Sequence, residues 1–110
     1  MEDITYDYFS KLDIRAGHVT KAEAVPKSEK LLKLEVYFGP EIGHRTILAS
    51  LAKSYDVVGL VGQNVLAVVN LAPRKIMGVE SYGMVLAAYQ DDGLLSLATC
   101  GGVPDGAQIG

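Results

Sequence analysis

At 110 residues the chain has the length of one domain, enough to bury a modest core without disulfide staples. Its composition, 49% apolar and 21% charged, excludes a disordered tail, and apolar runs such as Val65–Val69 are too short to cross a bilayer. The formal charge of −3 excludes a generally basic coat, yet all ten Lys and Arg lie within residues 11–84, against seven acids. Acidic ends (Glu2, Asp3 and Asp7; Asp91, Asp92 and Asp105) flank this mildly basic middle. A binder of phosphate needs a local positive surface rather than a positive total, so the pattern permits nucleic-acid binding without demanding it.

The start, Met1-Glu2-Asp3-Ile4-Thr5, is acidic and polar and does not read as a signal segment. Residues 1–12 carry Tyr6, Tyr8, Phe9 and Leu12, with Thr5 or Asp7 as helix caps, and read as a lead-in that packs on the body of the fold or on a partner subunit. Residues 14–25 predict a long strand, with Gly17 marking a bulge or a close approach of two backbones. Pro26 to Lys30 is a polar turn. Leu32 to Phe38 gives the cleanest period of two: Leu32, Leu34, Val36 and Phe38 share one face, Lys33, Glu35 and Tyr37 the other. Gly39-Pro40 ends that strand, Gly43 turns the chain, and His44–Ala49 is the next strand.

Ser50 to Tyr55 reads as a short helix capped by Ser50. Val65–Val69 is a strand buried on both faces. Asn70 to Ser81 mixes polar and apolar residues without period and reads as a structured loop. Met84–Tyr89 and Leu94–Thr99 form a hairpin around Asp91-Asp92-Gly93, and Val103-Pro104-Asp105-Gly106 is a turn before a last extended piece. About five strands with one small helix after the third is the element order of an OB-type barrel: an all-β, five-stranded Greek-key barrel with terminal extensions. Another small Greek-key barrel shares the pattern.

The inventory points away from catalysis. His18 and His44 are isolated, with no second His or Cys at metal-ligand spacing, so no metal ligand is assigned. The serines lack a recognisable triad and no phosphate-loop or dinucleotide fingerprint is present, so no cofactor and no catalytic residue are expected. Cys100, the single cysteine, excludes an internal disulfide, fits a reducing compartment and reads as a small buried or half-buried side chain. Aromatic residues suited to stacking on bases are sparse. Only Tyr37 and Tyr82 fall on a ligand face, and Tyr37 has a second reading at a dimer interface. That scarcity favours recognition of a folded RNA by shape over single-strand stacking.

Three segments carry a family resemblance: Phe9-Ser10-Lys11-Leu12-Asp13-Ile14-Arg15-Ala16-Gly17-His18-Val19; Pro26-Lys27-Ser28-Glu29-Lys30-Leu31-Leu32; and Asn70-Leu71-Ala72-Pro73-Arg74-Lys75-Ile76-Met77-Gly78-Val79-Glu80-Ser81-Tyr82-Gly83-Met84. Together they resemble the tRNA-binding domain family, which includes the C-terminal appendix or β-subunit of methionyl-tRNA synthetases, stand-alone tRNA-binding proteins, EMAP II-type domains and the CsaA export chaperone. The resemblance covers the chain from Phe9 to about Gly106, and the third segment is the specific one. It implies one OB-fold domain over 1–110, cytoplasmic, with residues 1–12 and about 90–110 at a homodimer interface. It also implies tRNA as partner, bound by shape, in support of an aminoacyl-tRNA synthetase acting in trans.

By the same resemblance, the residues assigned to tRNA are Lys30, Asn70, Arg74, Lys75, Ser81 and Met84. The first turn departs from the family's Pro-Asn-Ala-Asp-Lys at its three middle positions and keeps Lys30. By chemistry alone, Arg74-Lys75 offers two cations beside the stiffening Pro73, Asn70 and Ser81 can hydrogen-bond sugar or phosphate, and Met84 can pack on a base. Without the resemblance the same residues read as solvated charge, a turn former and core. The alternative function is that of a CsaA-like chaperone binding unfolded or pre-export polypeptide, for which Gly39-Pro40-Glu41-Ile42-Gly43 resembles the chaperone branch. No membrane is implied.

Overall fold

The computed structural model describes residues 1–110. In chain order the elements are α1 (Tyr6–Ser10), β1 (Ile14–Ala24), β2 (Leu32–Tyr37), α2 (Gly39–Ile42), β3 (His44–Ala49), α3 (Val57–Leu60), β4 (Asn64–Val68), β5 (Arg74–Ile76), β6 (Val79–Ser81), β7 (Met84–Val85), β8 (Ala87–Tyr89), β9 (Leu95–Leu97) and β10 (Gln108–Ile109). The main sheet runs β3-β2-β1-β4-β7, all antiparallel, and β10 joins the first half of β1. The hairpins β5-β6 and β8-β9 complete the wall: Tyr82 donates its N–H to Thr46 of β3, and Leu66 and Leu86 bond to Ala98 and to each other. The result is a nearly closed, five-strand antiparallel barrel of the OB type, as the sequence predicts.

The period of two in Leu32–Phe38 becomes the barrel's inner face. Leu32, Leu34, Val36 and Phe38 are buried, while Lys33, Glu35 and Tyr37 lie half out. They pack with Val19, Ile47, Leu51, Leu60 and Val65 into one core, each fully buried side chain contributing roughly 1.5–3 kcal/mol. Gly17 marks the close approach. A Cβ there would sit 2.6 Å from the Tyr37 carbonyl oxygen and 2.7 Å from the Phe38 ring. The bulge falls three residues later, between Val19 and Lys21, where Thr20 turns its hydroxyl to donate to the Glu35 carbonyl at 3.2 Å.

Three expectations are corrected. Ser50–Tyr55 is a run of turns, and the helix is α3, one turn further on. The segment's own bonds, Ser54 and Tyr55 N–H to the Leu51 carbonyl, make one turn only, and it is otherwise tied sideways. Ala52 donates its N–H to the Lys30 carbonyl, while Ser54 Oγ and Tyr55 Oη accept from the amides of Leu95 and Leu97, each at 2.9 Å. The stretch read as a structured loop contains the β5-β6 hairpin, closed by Met77-Gly78 with φ of 50° and 80°. Positive φ at both central residues is the type I′ turn, and methionine gives no signal for it in a sequence. The expected strand Met84–Tyr89 is divided at Leu86, whose N–H bonds to Leu66 and whose carbonyl accepts from Ala98.

The ends of the chain differ. Thr5 caps α1, accepting from the Tyr8 amide, yet no residue of α1 is buried. Residues 105–109 dock on β1: Gly106 donates to the Ala16 carbonyl and Arg15 Nη1 donates to the Gly106 carbonyl at 3.1 Å. The Arg15 guanidinium also meets Asp13 at 2.6 Å, a hydrogen bond that raises its pKa above the usual value.

Candidate nucleic-acid interface

The site assembles where the β5-β6 and β8-β9 hairpins meet the barrel. Between them lies a groove of about 420 Å³, lined mostly by apolar side chains, with Arg74, Ser81 and Met84 among its walls. Of the six residues expected to meet tRNA, these three therefore share one cavity. Lys30 is exposed in the turn before β2 and lines an adjoining cavity of about 400 Å³ with Lys53, Ser54 and Gly93. Both cavities are bounded by Ser50, Tyr89 and Leu95, so they adjoin there as a trough in two parts.

Arg74 and Lys75 do not act as a pair. They are successive residues of a strand, and successive side chains leave opposite faces. Arg74 stands opposite Ser81 in the register, on the groove side. Lys75 stands opposite Glu80 on the other face and does not line the groove. Neither Arg74, Lys75, Lys30 nor Lys53 has an acidic partner within ion-pair distance; the ion pairs present are Arg15–Asp13, Lys21–Glu23 and Lys33–Glu23. Their charge is therefore free for a phosphate.

Two of the expected residues spend their hydrogen bonds inside the fold. Ser81 is 6% exposed; its Oγ accepts from the Leu48 amide at 3.0 Å and donates to the Gly83 carbonyl. It staples the hairpin that carries Arg74 to β3. Asn70 clamps the N-terminal segment, its Oδ1 accepting from the Asp13 amide at 2.8 Å and its Nδ2 donating to the Lys11 carbonyl at 2.7 Å. Met84 is half exposed on β7 at the groove wall.

Sequence reasoning missed Lys53 and Tyr89. Lys53 lay in the segment read as helix, and Tyr89 in a strand read without regard to its face. Tyr89, not Tyr37, is the aromatic on the trough. Tyr37 packs between His18 and His44, with ring centroids 6.0 and 4.9 Å away.

The family model described as "Putative tRNA binding domain" matches residues 14–108. The chain belongs to this family. A methionine–tRNA ligase of Chloroherpeton thalassium is 47% identical over 106 residues, 96% of this chain but 14% of that protein. The chain thus spans about one seventh of the length of such relatives. Among solved structures, the MetRS related protein from Pyrococcus horikoshii superimposes with a TM-score of 0.90 at 39% identity, covering 99% of each chain. The CsaA chaperone from Picrophilus torridus gives 0.91 at 35% identity, covering 98% of this chain and all of that one.

Proposed function

We propose that this chain is a non-catalytic tRNA-binding module that holds the folded RNA against the trough and supports an aminoacyl-tRNA synthetase in trans. The observation that carries the reading is the unpaired Arg74 on a hairpin fixed to the barrel by Ser81, in a chain of the tRNA-binding domain family. A cation on a hairpin already fixed to the barrel binds phosphate without the cost of ordering a loop. Lys30 and Lys53 extend the positive edge. Ser81 and Asn70 position the loop rather than touch RNA. His18, hydrogen-bonded to Asp105 and packed on Tyr37, lies outside the trough and takes no part in chemistry there.

The module works in the cytoplasm as a homodimer. The exposed Ile4, Tyr6, Tyr8 and Leu12 offer an apolar N-terminal face for a second copy, and two sites on one symmetric molecule add avidity. Light scattering at micromolar concentration gives twice the monomer mass; a monomer removes the dimer.

Filter binding to a mixed tRNA pool and to an unstructured RNA of equal length, over a salt series, tests the main reading. Preference for tRNA that weakens with salt supports it, and equal or absent binding with the protein folded overturns it. A second reading, binding of unfolded polypeptide, is favoured by one observation: the groove walls are mainly apolar, including Leu31, Leu71, Ile76 and Leu86, in a fold shared with CsaA chaperones. Such binding is weakly salt-sensitive.

A further inference from the structure

Tyr89 is 90% exposed. It nevertheless does not point away from the body. Ala87 and Tyr89 share one face of β8, and their register partners Leu97 and Leu95 share the same face of β9. Leu97 is buried in the core, with Ala87 and Leu95 packed against it, so Tyr89 stands on the same face of the hairpin as these core residues. There it bounds both cavities of the trough, with apolar walls and Arg74 on one side and Lys30 and Lys53 on the other.

We propose that the trough takes one unstacked nucleobase of a folded RNA, laid on the Tyr89 ring. Its flanking phosphates lie toward Arg74 at one end and toward Lys30 and Lys53 at the other. The proposal rests on the RNA reading above and names the element recognised: a base extruded from a loop or bulge rather than a paired helix. Four features carry it. The larger cavity, about 420 Å³, is within the range of roughly 300–1,000 Å³ that suits small-molecule-sized groups. Its walls are apolar, as the face of a base requires, and stacking on an aromatic ring tolerates any base. The cations divide between the two cavities, Arg74 on one and Lys30 and Lys53 on the other, so each phosphate flanking the base has a cation on its side. Finally, Asp91 and Asp92 occupy the hairpin turn beyond Tyr89, with Asp92 accepting from the Leu94 amide at 3.0 Å. Gly93 of the same turn lines the cavity with Lys30 and Lys53, so a phosphate on that side lies toward the lysines and away from the hairpin tip.

The test uses RNA stem-loops carrying one 2-aminopurine, either bulged from the stem or paired within it, with filter binding of the tRNA pool run in parallel. Wild type binds the bulged stem at least about 10-fold tighter than the paired one, the order expected for one stacked base, and quenches its fluorescence. Tyr89→Phe keeps both effects and Tyr89→Ala loses both. At this exposure neither substitution disturbs the core, which circular dichroism checks. If tRNA binds but the bulge gives no preference, or Tyr89→Ala retains it, the base pocket is wrong while the RNA reading stands. If no RNA binds and a reduced, alkylated α-lactalbumin binds in a Tyr89-dependent way, the occupant is polypeptide and both are overturned.

Discussion

Ser81 Oγ accepts the amide N–H of Leu48 at 3.0 Å, and Ser81 is the register partner of Arg74. One buried hydroxyl thus sets where the groove-side guanidinium stands. Ser81→Ala leaves the Leu48 amide unpaired and costs about 1–3 kcal/mol, read as a lower denaturant midpoint. tRNA affinity falls with it although Ser81 touches no solvent-facing ligand. Undiminished stability and affinity would mean that β6 is held by other contacts.

Arg74→Ala and Lys75→Ala give unequal losses. Arg74 faces the groove and has no acidic partner, while Lys75 lies on the far face opposite Glu80. Losing one charged phosphate contact costs about 1.5–3 kcal/mol and reduces the salt slope by about 0.7–0.9. Both effects belong to Arg74→Ala, with Lys75→Ala close to wild type. Equal losses from the two variants would contradict this placement.

The strand Leu32–Phe38 was legible because its alternation is local, and the barrel followed from the spacing of such runs. Arg74 and Lys75 were legible as cations but not as diverging ones. Divergence depends on a hairpin whose turn is Met77-Gly78, where methionine takes a backbone conformation it rarely adopts. The roles of Ser81 and Asn70 were hidden for another reason: their partners, Leu48 and the Lys11–Asp13 backbone, are 33 to 59 residues away. Lys30, Lys53 and Tyr89 meet only on barrel closure, which no periodicity encodes.

Asn70 holds two backbone groups with one amide, and two substitutions separate them. Asn70→Asp keeps an acceptor for the Asp13 N–H and loses the donor to the Lys11 carbonyl; Asn70→Ala loses both. Amide exchange at Asp13 accelerates in Asn70→Ala and stays slow in Asn70→Asp. Each bond is worth about 0.5–1.5 kcal/mol, so the alanine variant is also less stable. Slow exchange in both variants would show that the clamp is not the source of protection.

Met77 carries a cost the fold does not use. It is exposed and sits at φ 50°, where a left-handed backbone disfavours a side chain by roughly 1–2 kcal/mol. Met77→Gly relieves this strain but adds freedom to the unfolded chain. The expected net gain is below about 1 kcal/mol, a small rise in melting temperature with tRNA binding unchanged. A lower melting temperature would show that the Met77 side chain packs usefully after all.

Hydrogen exchange with and without tRNA tests most directly whether tRNA lies against the trough. Protection on adding tRNA is predicted in residues 28–31, 50–54 and 74–76 and around the Tyr89 hairpin, with α1 and the Asp105 turn unaffected. Protection absent from these segments while tRNA is bound, or confined to α1 and the Asp105 turn, would contradict it.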